Sequence, residues 1–495
     1  MNFLTFSDGA KFADIARNIL LGNGYGSIFS FWSTSVFTSI KSILFPTPAV
    51  PPLMPYSIAA FFKIFGVNDF AVIATSFFYF ALLLVFVFLL GSKLSKSKFV
   101  GVLSTLAVGL NTDMINYATS GASEMPLMAE IVAAAYFISL KKKWANIVGF
   151  VLMILMYFTR PQGFIYIAGL ILYWLLLNFK WQKALITFSV ILVGGFLFDK
   201  FVLSALTWRY FLYPILGRGL STVNQAVVTS STSEVLRGAS VSYTLVPIVK
   251  KVLYDLYNFF KLLPQIMSPY LFALFVIGLF RSRSAFKTSV LFMTIVTFLV
   301  TAISIPFFRY LHPVVPLVYI VAVATLVEII PKGKYLILTS VFLILLFGAG
   351  QTVGVLLLDS RYEGQTHNVG KPPEYVLLSQ ILKDNTQPNQ VVVTNLDTWG
   401  SWYGERKTVW YPLEPDMLNL GTGQIPPFDA IYLTSYLIND ANYVMGSNWR
   451  QIFNDPQYIT DKFIEANYKL QGVYTISASD DYERQDAKAV LLVRK

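Results

Sequence analysis

Ten apolar segments joined by turns that are alternately basic and polar constrain this chain more than any other feature. They run over residues 69–90, 99–111, 122–140, 144–159, 163–178, 184–203, 266–280, 288–307, 311–329 and 335–358. Backbone amides find no water in hydrocarbon, so apolar runs of this kind are expected to cross a bilayer as helices. The basic turns carry Lys93, Lys96 and Lys98, then Lys141-Lys142-Lys143, Lys180 and Lys183, Arg281, Arg283 and Lys287, and Lys332 and Lys334. They fall at every second connection, and the positive-inside rule assigns them to the cytoplasm. About ten spans follow, with both termini outside. Segments 99–111, 144–159 and 163–178 are shorter than the roughly 20 residues a bilayer needs. Their outer ends are expected at or below headgroup level, around a recessed polar cavity.

Composition agrees. Of 495 residues, 55% are hydrophobic and 13% charged, against roughly 25% charged in a soluble domain. The net charge of +11 sits largely in short loops, so topology explains it better than nucleic-acid binding does. Without cysteine, neither a disulfide framework nor a thiolate metal site is available. His312 and His367 are the two histidines, too few for a histidine-rich metal centre. A divalent cation would need mostly carboxylate and water ligands. No charged segment followed by an apolar core opens the sequence as a secretory signal would.

Residues 1–68 read as a first outer loop with interfacial helices. In Phe6–Tyr25, the residues Phe12, Ile15, Ala16, Ile19 and Leu20 make one apolar helical stripe. Lys11, Asp14, Arg17 and Asn18 take the opposite face. Ser7 is the expected N-cap, and Gly22-Asn23-Gly24 supplies left-handed residues to stop the helix. The helix is too short and polar to span, so it is expected to lie in the interface. Asp8 sits where the helix dipole favours a carboxylate. The run Phe45-Pro46-Thr47-Pro48-Ala49-Val50-Pro51-Pro52 reads as an extended connector, and Leu53–Gly66 as a second helix near the surface.

Residues 69–358 form the transmembrane domain, with a long outer loop at 204–262. Residues 359–495 read as a small extracytoplasmic α/β domain. Its expected strands are Gln390–Asn395, Thr408–Pro412, Asp429–Ser435 and Ala489–Val493, with helices at Glu374–Asn385 and Trp449–Tyr468. It contains no Gly-rich phosphate loop.

Charged groups are scarce in the apolar segments, so those at span ends on one side carry weight. The outer side collects Asp8, Asp113, Glu124, Arg160 and Arg309, with Tyr310 and His312 adjacent. Arginines can bind phosphate oxygens bidentately, and a carboxylate can accept a proton from an attacking hydroxyl. A bland reading stands beside each: Glu124 as a first-turn acid, Arg160 and Arg309 as snorkelling residues, and His312 as a histidine packed by prolines at a helix end.

In order and spacing these motifs resemble the GT-C superfamily of membrane glycosyltransferases, in the branch of protein O-mannosyltransferase-like and lipid A aminoarabinose transferase-like enzymes. The matching pieces are Ser7-Asp8-Gly9 with Leu20-Leu21-Gly22-Asn23-Gly24-Tyr25, and Pro51-Pro52-Leu53-Met54-Pro55 ahead of Phe62–Gly66. They continue with Tyr117 to Glu124-Met125-Pro126, Thr159-Arg160-Pro161-Gln162-Gly163, and Arg309-Tyr310-Leu311-His312-Pro313. The resemblance covers roughly residues 6–360. It implies an inverting hexosyl- or pentosyltransferase, mannosyltransferase-like, that takes sugar from a polyprenyl-phosphate donor. The acceptor would be a cell-envelope glycan, lipid or protein. The enzyme would be multi-pass in the cytoplasmic (inner) membrane, in contact with its lipids, and would not bind nucleic acid.

By the same resemblance Asp8 matches the essential carboxylate of the first outer loop. Arg160 and Arg309 would hold the donor phosphate, and Lys11, Asp113, Glu124, Tyr310 and His312 would support the site or bind substrate. Two departures stand out. Many relatives have Asp-Glu where this chain has Asp8-Gly9, so a second carboxylate must come from elsewhere, with Glu124 the candidate. Relatives also carry a transmembrane helix ahead of this loop, where this sequence has seven residues before Asp8. From another class, a transporter or lipid-linked glycan flippase would place polar groups and broken helices near the midplane, often in inverted repeats. The span centres here are nearly free of charge, which disfavours it. A polysaccharide polymerase or ligase would share the donor chemistry without this early Asp-bearing helix.

Overall fold

The computed structural model describes residues 3–32, 36–47, 50–198, 201, 245–304, 306–330, 336–348, 372–412, 414–419, 427–436, 438, 445–476 and 487–495. Helices occupy each of the ten apolar segments over the residues described. Among the described residues, four helical stretches, Asp69–Ser95, Trp181–Phe198, Ala285–Ile303 and Phe308–Ile329, are long and apolar enough to cross a membrane. The short segments are short helices: Lys98–Gly109, Lys143–Thr159 and Gly163–Asn178. Helix Glu124–Ser139 is buried along most of its length and packs against Asp69–Ser95 and Lys143–Thr159 at the centre of the body. A second acid of that helix, Glu130, lies buried at its middle and accepts the Thr159 hydroxyl at 2.8–2.9 Å. It is the exception among span centres that are otherwise nearly free of charged residues.

Most of the expected outer loop, 204–244, lies outside the described residues. Its last part forms an unforeseen amphipathic helix, Leu245–Lys261. Lys251 Nζ donates to the carbonyls of Ala302 and Ser304 at 2.5 and 3.0 Å, placing a cation at the C-terminal end of helix Ala285–Ile303.

The C-terminal region supplies five strands of a six-stranded sheet, ordered β2 (Phe29–Ser30), β5, β4, β6, β8 and β7. Its strands are β4 (Val391–Thr394), β5 (Lys407–Trp410), β6 (Ala430–Thr434), β7 (Tyr468–Ile476) and β8 (Ala487–Arg494). β4, β5 and β6 run parallel, with β8 and β7 antiparallel beyond β6. The four expected strands are present, and so is helix Glu374–Asn385. The expected helix Trp449–Tyr468 is instead two short helices, Ser447–Asn454 and Lys462–Asn467, broken around Asp455-Pro456, and Tyr468 already begins β7. Pro456 cannot donate to a continuing helix, and the alternating exposure along β7 is a strand period.

The sixth strand comes from the other end of the chain. β2 (Phe29–Ser30) pairs parallel with Thr408 and Val409 of β5; β1 (Gly26–Ser27) pairs separately with β3 (Phe45–Pro46). One face of the sheet, through Val392, Tyr432 and Leu491, shares a hydrophobic core with Phe12, Ile15, Met54, Ile58 and Phe62. Helix α1 (Ser7–Leu20) and helix Leu53–Phe65 are therefore packed between sheet and helical body.

That docking corrects the reading of α1. Its expected polar face is not solvated, because Asp14 is 0% and Asn18 4% exposed. Asp14 Oδ2 accepts the Ser27 hydroxyl at 2.6 Å and the Ile28 N–H at 2.9 Å, and Oδ1 accepts Arg17 at 2.8 Å. Arg17 lies over the Trp402 ring and donates to the Ser401 carbonyl at 2.8 Å. Ser7 is the first helical residue and not the cap; Phe6 holds that position without a side-chain bond. Gly22 and Gly24 do take positive φ, 77° and 97°. Asp14→Ala would strand the Ser27 hydroxyl, the Ile28 amide and Arg17, and is expected to cost about 3 kcal/mol. Thermal unfolding in detergent checks this; an unchanged transition would show that Asp14 does not tie α1 to the sheet.

Candidate active site

The N-terminus of α1, the loop before helix Glu124–Ser139, the Arg160 turn and the 3-10 turns at Phe308–Val314 meet at one end of the helical body. Asp8 reaches this point because α1 lies unusually close to the loop at Ser120-Gly121. A Cβ added to Gly9 would stand 2.3 Å from the Ser120 carbonyl oxygen. Gly121 itself has φ +76°, and a Cβ there would stand 2.6 Å from Val72. The departure from Asp-Glu at residues 8 and 9 thus has a steric reason: no side chain fits at position 9.

Asp8 Oδ2 accepts Arg309 Nη1 at 2.8 Å, with the carboxylate side chain 36% and the guanidinium 25% exposed. Burial alone would raise the Asp8 carboxyl, but Arg309, Arg160 and Lys11 together hold it below the usual aspartate range. Arg309 sits over the rings of Phe6 and Tyr310, 5.1 and 5.3 Å from their centroids. These faces attract the cation and keep it in one place. Tyr310 also lies 5.8 Å from the Arg160 guanidinium, so one ring stands beside both arginines.

Arg160 is 8% exposed. Its Nη1 approaches Glu124 Oε1 at 2.6 Å and donates to the Ser123 hydroxyl at 3.1 Å. The Glu124 contact is ionic and lacks hydrogen-bond alignment. Glu124, completely buried, therefore works as a counter-ion to Arg160, since a buried guanidinium needs one.

His312 is buried, its Nδ1 2.6 Å from the Tyr117 hydroxyl. Its Nε2 faces two acceptors, the Gln265 carbonyl at 3.3 Å and Asp113 Oδ2 at 3.5 Å. The proton accordingly belongs on Nε2, and Tyr117 donates to Nδ1. This bridge joins the Arg309 turn to the short helix Thr112–Ala118, which carries both Asp113 and Tyr117. Burial raises the Asp113 carboxyl, with His312 acting against it. Lys11 lies over the Phe31 ring and adds to the positive field at Asp8.

All eight residues singled out from sequence are thus in or beside one cluster. Sequence reasoning missed Ser123, Gln265 and the Asp397-Thr398 pair, which approaches Ser7 from the sheet; Thr398 Oγ1 donates to the Ser7 carbonyl at 2.7 Å. Nothing local marks residues so distant in the chain. Among the described residues, no three of His, Cys, Asp and Glu come together to hold a metal ion.

The sequence model of the family described as dolichyl-phosphate-mannose-protein mannosyltransferase matches residues 49–208. That range holds Glu124 and Arg160 but neither Asp8 nor Arg309. An uncharacterised protein of Aquifex aeolicus is 29% identical over 176 residues, 31% of this chain and 34% of that protein. The chain spans about a third of the length of that curated relative. Among solved structures, ArnT from Cupriavidus metallidurans bound to undecaprenyl phosphate aligns over 99% of this chain and 94% of its own, at 12% identity and TM-score 0.52. The chain has a GT-C-like membrane fold. The resemblance read from the motifs therefore holds at the level of fold, and the protein is a polytopic membrane protein.

Gly9→Glu, which would write in the acidic pair of the relatives, and Gly9→Ala are both expected to lower the melting temperature and the folded yield. Size-exclusion chromatography and thermal scanning in detergent test this. Wild-type stability in either variant would mean that the Ser120 carbonyl yields freely.

Proposed function

We propose that the protein is a polyprenyl-phosphate-dependent glycosyltransferase of the GT-C type. It would move a sugar with inversion to an envelope acceptor at the outer face of the cytoplasmic membrane. The observation that carries this is a pair of arginines converging on one aromatic ring at the end of an apolar helical body, one of them bound to the Asp8 carboxylate. The family match and the likeness to a structure holding undecaprenyl phosphate support it. The alternation of basic turns supports about ten spans, with the sheet domain outside.

In this reading an acceptor hydroxyl attacks the anomeric carbon while its proton passes to Asp8. The bond from that carbon to the phosphate oxygen breaks, and its electron pair leaves with the polyprenyl phosphate. A guanidinium offers five N–H donors, more than one carboxylate engages. Arg309 and Arg160 can thus meet the developing phosphate charge while still contacting Asp8 and Glu124. Tyr310 spaces them, and Lys11 adds positive potential. Asp113, Tyr117 and His312 hold the Arg309 turn in place.

Asp8→Asn keeps the size of the side chain and removes the proton acceptor, and is expected to slow transfer by about a hundredfold or more. The test follows radiolabelled sugar from a polyprenyl-phosphate donor in detergent, with the elution profile as the folding control. Wild-type turnover in Asp8→Asn would remove Asp8 from the chemistry. A wild type that releases no sugar, yet moves the intact lipid across proteoliposomes, would favour a flippase.

A further inference from the structure

Two basic turns far apart in the chain, one after helix Gly163–Asn178 and one before helix Ala285–Ile303, meet at a cavity of about 610 Å³. Phe179 and Trp181 line it from the first turn, Arg283 and Lys287 from the second. Leu176, Leu279 and Leu291 give it an apolar wall, and Ser284 and Thr288 add hydroxyls. Helix Gly163–Asn178 begins beside the Arg160 turn and runs to this cavity. The cavity therefore lies at the far end of the helical body from the candidate active site, roughly 24 Å away along a 16-residue helix.

Positive charge here is largely uncompensated. The two turns carry Lys180, Lys183, Arg281, Arg283 and Lys287. Among the described residues, only Arg281 of these stands within ion-pair distance of an acid, Glu328 at 3.7 Å. No residue lining the cavity is acidic. Lys287 is fixed, its Nζ donating to the Gly278 carbonyl and the Ser282 hydroxyl at 2.7 Å each. Arg283 is exposed and makes no hydrogen bond or ion pair among the described residues. A guanidinium with its five donors free, beside a fixed ammonium, suits the oxygens of a phosphate. Trp181, 54% exposed at the cavity, is of the aromatic type that settles at headgroup level. Topology alone explains why cations gather on this side of a membrane protein. It does not require two distant turns to converge on one cavity, or a guanidinium to stay unpaired there.

We propose that this cavity binds one anionic phospholipid of the leaflet at that end, the cytoplasmic leaflet in the orientation proposed above. Its phosphate is held by Arg283 and Lys287, with the Ser284 and Thr288 hydroxyls as further donors. Its acyl chains leave along Leu176, Leu279 and Leu291 into the hydrocarbon. The volume falls within the roughly 300–1,000 Å³ of small-molecule sites, room for a headgroup while the chains stay in the bilayer. Basic pockets between membrane helices on the cytoplasmic side take lipid headgroups in this way. A lipid seated there ties the two helix pairs on either side of the cavity together, at the end of the body opposite Asp8 and Arg309.

The test titrates the full chain, purified in detergent and freed of endogenous lipid, with phosphatidylglycerol, phosphatidylcholine or glycerol 3-phosphate. Melting temperature and native mass spectrometry are the readouts. Phosphatidylglycerol should raise the melting temperature saturably and remain bound as one lipid per chain, while the other two leave the protein unchanged. Arg283→Gln breaks no contact among the described residues, so its lipid-free melting temperature should match the wild type. Its affinity for phosphatidylglycerol should fall about fivefold, the weight of one basic residue beside an anionic lipid. Thr288→Phe fills the cavity, keeps both cations and should lose at least as much. Lys142→Gln removes an exposed cation from a different basic turn and should bind as the wild type does. An equal loss in Arg283→Gln and Lys142→Gln would mean diffuse surface charge and overturn the proposal. So would an equal response to phosphatidylcholine, or no saturable response to phosphatidylglycerol. A matching response to glycerol 3-phosphate would make a free phosphate the ligand and overturn the lipid.

Discussion

The close approach of α1 to the loop at Ser120-Gly121 is the constraint on which the site depends. Gly9 has no Cβ, so the helix N-terminus lies against the Ser120 carbonyl and brings Asp8 to 2.8 Å from Arg309. That distance cannot be set by the ion pair itself. A partly exposed pair contributes little and pays side-chain entropy; the backbone contact, the core shared with Leu53–Phe65 and the buried Asp14 network hold the helix first. The Asp8–Arg309 contact is a result of that packing.

The same packing makes the C-terminal sheet part of the site. β2 enters the sheet from residues 29–30, Arg17 and Asp69 bind the Ser401–Tyr403 corner, and Thr398 holds Ser7. Asp69 at the start of its long helix accepts the Trp402 indole at 2.7 Å and the Tyr403 hydroxyl at 2.8 Å. A sheet anchored both to α1 and to the first long helix orients the catalytic carboxylate proposed here instead of hanging beside the helical body.

Charge is distributed by pairing. Arg160 is matched by buried Glu124 and Arg309 by Asp8, so each guanidinium has a counter-ion and, in the function proposed above, N–H groups left to offer a phosphate. Aromatic faces on Phe6 and Tyr310 steady Arg309 without competing for its hydrogen-bond donors. The neutral His312 bridge adds rigidity at no cost in charge.

The sequence by itself determined the helical body, because hydrocarbon admits few other solutions for apolar runs between alternating basic turns. It determined the parallel strands through short β-branched runs such as Val391-Val392-Val393. It also singled out Asp8, Glu124, Arg160 and Arg309, since charged groups at the ends of apolar segments are scarce. Only the tertiary structure decided that Asp14 and Asn18 are buried, that β2 belongs to the C-terminal sheet, that Glu124 is engaged by Arg160, and that Thr398 holds the carbonyl of Ser7. Each of these joins positions tens to hundreds of residues apart, where no local period or spacing carries a signal. Glu130 and β7 lie between the two cases. An acid in the middle of an apolar run and an alternating Tyr468–Ile476 were both visible, but only packing showed the acid taking up a neighbouring hydroxyl and the strand closing the sheet.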